Sequence, residues 1–153
     1  HLFKDEAPTH VQTNVFITDD RRTSKNNSVA LIEEIQQHLI KSFPNVKFKF
    51  VQKSRQLKRS GDNINILISI KAHGIVEKNA TQETRTSYHI SIYDVSRTPI
   101  YIQDGNVEYI NKEVSEASIQ ENLKITNQRM TGFLRRNIKH HKFCDNQTED
   151  NQN

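Results

Sequence analysis

Seven histidines against a single cysteine raise metal binding first. The densest pair, His140-His141, consists of chain neighbours. On a helix such neighbours point about 100° apart and do not easily share an ion. No full ligand set at zinc-site spacing surrounds them, so they read as a basic, solvated helix end. His73 and His89 fall on the polar sides of two long strands, near each other on a hydrated face. Nucleophilic catalysis finds no G-x-S-x-G elbow, and four glycines in the whole chain exclude a Gly-rich phosphate cradle. The carboxylate pairs Asp19-Asp20 and Glu33-Glu34 belong to a turn and to a helix surface. No set of residues matches the roles of a catalytic site, and the chain reads as non-enzymatic, with no metal and no cofactor.

Basic residues remain. Lys47, Lys49, Lys71, His73, Arg85 and His89 are expected on one hydroxyl-rich sheet face, with Lys78 at a hairpin tip. Such a face suits phosphorylated ligands, although ordinary solvation explains it as well. Nucleic acid would call for aromatic residues interleaved with these bases, and only Tyr93 offers itself.

The elements that position these residues follow from periodicity. In Asn63 to Ala72, Ile64, Ile66, Ile68, Ile70 and Ala72 alternate with Asn65, Ser69 and Lys71, the pattern of a strand with one apolar and one polar face. This strand continues to about Glu77, turns at Lys78 to Gln82, and returns over Thr84 to Val95 with Tyr88, Ile90 and Ile92 inward. Thr13 to Thr18 and Val46 to Val51 are shorter strands, and Ile100 to Tyr109 is another in which Asp104-Gly105 suggests a bulge. A helix over Val29 to Ser42 presents Val29, Ile32, Ile35, Gln36, Leu39 and Phe43, and Pro44 stops it. A second helix, Glu116 to Lys139, presents Ile119, Leu123, Met130, Phe133, Leu134 and Ile138; Gly132 within it suggests a close packing contact. The expected fold is α+β, a two-layer sandwich in the order β-α-β-β-β-β-α. Two helices pack on one face of a mostly antiparallel sheet of four to five strands.

The chain of 153 residues is long enough for one domain, taken here as 1–142 with a polar, disordered tail at 143–153. With 33% hydrophobic residues and no Trp, the core must be lean and the surface polar. A net charge of +4 is compatible with an anionic partner without specifying nucleic acid. Cys144 has no partner for a disulfide, and no apolar run approaches the ~20 residues that span a bilayer. The start at His1 suggests a processed or truncated product.

His1-Leu2, a proline-containing lead, N-V-F-I-T-D-D, the Val29 helix, a short strand, and the hairpin E-K-N-A-T-Q-E with Y-H-I-S-I-Y-D-V follow in order to a long final helix. This succession resembles the LptE family, the lipopolysaccharide-assembly lipoproteins of Gram-negative outer membranes, over nearly the whole chain to about Ile138. The resemblance implies a plug inside the β-barrel of LptD that helps the barrel fold and delivers lipopolysaccharide to the outer leaflet. It also implies a lipid anchor upstream of His1, on a Cys-Gly-aromatic trio absent here. By position, Lys78 and Lys112 match the family's basic ligand contacts, and Arg85 is added from the sheet face. The tip reads K-N-A-T where the family often has Arg and Gly. Domains of the LpoB and CsgG kind, a peptidoglycan-synthase regulator and an export component, share the strand order. They usually insert a helix where Lys53 to Asp62 leaves little room. A basic nucleic-acid-binding domain is the further alternative.

Overall fold

The structure, a computed structural model, describes residues 12–21, 28–57, 63–93, 99–110 and 114–138. The alternating isoleucines do form the central strand. It is β3 (Ile64–Lys78), flanked by β1 (Thr13–Asp19) and β4 (Thr81–Tyr93), with β2 (Phe48–Val51) and β5 (Tyr101–Ile110) outside in the order β2-β1-β3-β4-β5. The helices are α1 (Ser28–Ser42) and α2 (Glu116–Asn137), so the α+β order β-α-β-β-β-β-α holds. The sheet is mixed: β1 runs parallel to β2 and β3, while the two longest ladders, β3–β4 and β4–β5, are antiparallel. Parallel pairing of β1 with β2 requires a crossover, and α1 supplies it.

Both helices lie on the isoleucine face. Ile66, Ile68, Ile70 and Ile90 are fully buried beneath Leu31, Ile35 and Leu39 of α1 and Leu123, Met130 and Leu134 of α2. Full burial of each such side chain stabilises by about 1.5–3 kcal/mol. Of the expected α1 stripe Ile35, Leu39 and Phe43 are buried and Ile32 packs against the core, and only its start differs. Leu31 is buried, whereas Val29 is 68% exposed. Ser115 caps α2, its hydroxyl accepting from the Ser118 amide. At the other end Arg135 of α2 donates to the Ser42 carbonyl at 2.8 Å and stacks 4.5 Å from the Phe43 ring, tying the two helix ends together. The space beside Gly132 is bounded by Arg136 of its own helix rather than by another element.

Two expectations about backbone irregularity change. The β4–β5 register runs unbroken past Gly105, which pairs with Tyr88. A Cβ at Gly105 would lie 2.1 Å from the Tyr88 ring, so the glycine is there to let that ring lie across β5 and donate to Gln103 at 2.9 Å. The irregularity falls instead between Ile70 and Ala72 of β3, where the register slips by one. A one-residue slip exchanges the two faces of a strand. From there on, His73 and Ile75 share the helix face with Thr86 and Thr84, and Ala72, Gly74 and Val76 turn to the other. The hairpin closes through Asn79 and Ala80 (φ 52° and 64°), the paired positive φ of a two-residue turn that suits the twist of the strands.

Gly105→Ala is expected to lower unfolding free energy by about 1–3 kcal/mol, because an overpacked side chain must displace the Tyr88 ring. Denaturant unfolding checks this; an unchanged midpoint would show that the ring moves aside freely.

Candidate functional site

The slip in β3 places a polar junction where β1 ends. β1 stops at Asp19, opposite Ile70, and the Asp20 amide donates to the Ile70 carbonyl at 2.8 Å. Beyond that point, among the described residues, β3 pairs only with β4. Asp19 and Arg21 close the end of β1 with a nearly buried ion pair at 2.6 Å, and Asp20 accepts from the Thr18 and Ser69 hydroxyls. Two depressions meet here. One, of about 640 Å³, is lined by Asp20, Arg21, Lys71, His73, Gly74 and Arg85 among others. The second, of about 410 Å³, lies on the helix side between Leu31, Glu34, His73, Glu116 and Leu123.

His73 belongs to both, and a buried chain of hydrogen bonds fixes its tautomer. The Asn122 amide nitrogen donates to the Val107 carbonyl at 3.0 Å and to Thr84 Oγ1 at 3.4 Å, so its Oδ1 accepts. Thr86 donates its only hydroxyl proton to that Oδ1. Thr86 Oγ1 can therefore only accept from His73, 2.9 Å away, which puts the imidazole proton on Nδ1 and leaves Nε2 as an acceptor. Burial lowers the His73 pKa, reinforced by Arg21 and opposed by Asp19 and Glu116. His38 on α1 is also lowered, by burial and by Arg135 and Lys41 against a backbone hydrogen bond to Asn127.

The open face of the sheet is not the continuous basic surface expected from alternation. His73 has crossed to the helix side, while His89 stays and meets Asp104 at 2.8 Å. The two histidines are thus on opposite faces. Arg85 stays on the open face, where its Nε donates to Asn106 at 3.0 Å and lies 3.9 Å from Glu108. One row is apolar on four of the five strands: Val51, Phe16, Leu67 and Ile102 are in register, with the buried Ser91 of β4 between the last two. Beside it the fully buried Asn14 donates to Asn65 at 3.1 Å. Leu67 breaks the polar alternation in the sequence and is the signal for this row. The Lys78 side chain, Lys112, His140-His141, Cys144 and the tail at 143–153 lie outside the described residues. Among the described residues no group of His, Cys, Asp and Glu could hold a metal ion, and no helix is long and apolar enough to cross a membrane.

No protein-family model and no curated protein matches the chain. Solved structures do. Protein XCC0632 of Xanthomonas campestris, from the family DUF330, is 8% identical with a TM-score of 0.57, covering 95% of this chain and 91% of that one. The hypothetical protein CT253 of Chlamydia trachomatis is 12% identical at a TM-score of 0.52, covering 80% and 98%. A looser likeness, at 7% identity and a TM-score of 0.48 over 80% and 99%, is to the lipoprotein GNA1162 of Neisseria meningitidis. Identities this low show a shared fold alone, one that bacterial proteins of similar length adopt.

The lowered His73 pKa fixes the sign of a pH effect. In the unfolded chain the imidazole takes its proton near 6.5, and in the folded chain only at lower pH, so the unfolded state binds more protons in between. Stability is complete above about pH 6.5 and falls as pH drops through the folded pKa. His73→Gln, whose amide can still donate to Thr86, is expected to flatten that fall. Thermal unfolding between pH 7.5 and 5 measures it, and an unchanged slope would assign the effect to His38.

Proposed function

We propose that this chain is a non-enzymatic outer-membrane lipoprotein of the LptE kind. It sits one-to-one as a plug inside the LptD β-barrel, assists the barrel's assembly, and helps deliver lipopolysaccharide to the outer leaflet. Its anchor lies upstream of His1, and the chain faces the periplasm and the barrel lumen. The observation that carries this reading is the one-sidedness of the sheet. Both helices cover the isoleucine face. The other face carries Val51, Phe16, Leu67 and Ile102 in register with the buried Ser91, a buried Asn14–Asn65 pair beside them, and no helix of the described residues. A protein held inside a water-lined barrel needs wet surfaces on most sides and a few apolar contacts with the wall.

Between β2 and β3 the described residues hold a single 3-10 turn, Ser54–Gln56, in place of the helix usual in LpoB- and CsgG-like domains. That favours the LptE reading over a regulator of peptidoglycan synthesis or an export component. Lipopolysaccharide phosphates would be met by Lys78, Lys112 and Arg85 through charge-assisted hydrogen bonds. Of these, Arg85 keeps its guanidinium Nη nitrogens unbonded among the described residues while Asn106 and Glu108 orient it.

Co-expression with its barrel is expected to yield a stoichiometric complex; recovery only as a free monomer would contradict the reading. Lys78→Glu with Lys112→Glu is expected to weaken retention on immobilised lipopolysaccharide at moderate salt without changing the circular dichroism. Unchanged retention would dismiss both positions as contacts.

A further inference from the structure

We propose that the free edge of β3 from Lys71 to Lys78 takes up an extended, acidic strand from a partner protein. The edge arises because β1 ends opposite Ile70 while β3 runs on, paired among the described residues with β4 alone. Alternate residues of a strand direct their N–H and C=O groups to one side. Along Lys71–Lys78 the groups turned away from β4 therefore meet no strand among the described residues. Unpaired edges of this kind add a strand readily, with main-chain hydrogen bonds giving affinity and flanking side chains giving specificity. The space for a strand exists. The depression of about 640 Å³ runs along Lys71 to Val76, and nothing lies within 4 Å of where a Cβ on Gly74 would stand.

The two faces of the edge define the incoming sequence. On the helix side Ile75 is 49% exposed and calls for an apolar neighbour. On the open side Gly74 pairs with Arg85 and has no side chain of its own, so a carboxylate on the added strand can reach over it to the guanidinium. Lys71 is exposed at the bulge and makes no ion pair among the described residues, while Arg21, which also lines the depression, is paired with Asp19, and Glu77 lies beyond it toward the hairpin tip. Among the described residues the one carboxylate lining the depression, Asp20, is held by Thr18 and Ser69. The charge is thus complementary to a strand that alternates apolar with acidic residues. The bulge at Lys71 and the positive φ of Gly74 (148°) make the edge irregular, which disfavours indiscriminate pairing and leaves a selected partner. This holds whether or not the partner is a barrel.

The test is selection of displayed peptides of strand length on the intact chain, followed by synthetic copies of the enriched peptides measured by fluorescence anisotropy and amide hydrogen exchange. Enriched peptides should alternate apolar and acidic residues and should protect the amides of Lys71 to Glu77. Lys71→Glu should weaken them about tenfold, as replacing a charge-assisted contact by a like-charge pair does. Ile75→Glu should weaken them comparably, both variants keeping the native circular dichroism. The proposal is overturned if no peptide is enriched, if enriched peptides protect other segments, or if the variants bind as tightly as the parent. A dimer of this chain that protects the same amides without peptide would also overturn it, by assigning the edge to a second copy.

Discussion

The burial of the β3 isoleucines between β1 and β4 and beneath both helices is the constraint from which the rest of the structure follows. Ile66, Ile68 and Ile70 pair with Val15, Ile17 and Asp19 on one side and with Ile92, Ile90 and Tyr88 on the other. A strand with that many apolar residues on one face has one register that buries them all, and any slip would expose the set. The single slip present lies at the last buried isoleucine, where exchanging faces no longer sacrifices core. Beyond it Thr84, Thr86 and Asn122 are buried with His73 beside them, while Ile75 is half exposed.

That polar end is as buried as the apolar one. Thr84, Thr86 and Asn122 are almost wholly enclosed, which is tolerable only because each hydrogen-bonds to another or to the Val107 carbonyl. Such a network fixes α2 against the base of the hairpin by direction rather than by area, and it sets the tautomer of His73 as a consequence. At the opposite end Arg135 performs the corresponding task for α1 and α2, with a hydrogen bond and a ring contact. The core between these two anchors can therefore remain lean, as a chain with 33% hydrophobic residues requires.

Period-two alternation made the strands legible in the sequence, and helical spacing made the helices legible to within a few residues. The α+β order followed from their succession. The bulge was not legible. Asp104-Gly105 carries the residue types of an irregularity, but its glycine answers a contact with Tyr88 across the ladder, a long-range fact. At the bulge itself, Ile70 to Ala72, there is no glycine or proline, and Gly74 comes only after His73, so extrapolating the alternation carried His73 to the wrong face. Asn122 carries no signal in the sequence, because its partners Thr84, Thr86 and Val107 lie on strands that only the fold brings near. Leu67 was visible as an exception to the polar alternation. Its meaning appears only when Val51, Phe16 and Ile102 fall in line with it.

In the proposed reading the chain meets its partner through a sheet that the described helices cover on one face, with Arg21, Arg85 and His89 each held near a carboxylate. The account's central claim is that a larger partner encloses it, and labelling in cells tests this most directly. In a Cys144→Ser background, cysteines placed at Ile102 and Asn106 on the open face would be challenged with a membrane-permeable maleimide, with and without the barrel. The account predicts that both label freely in the chain alone and become shielded when the barrel is present. Equal labelling in the two cases would contradict it.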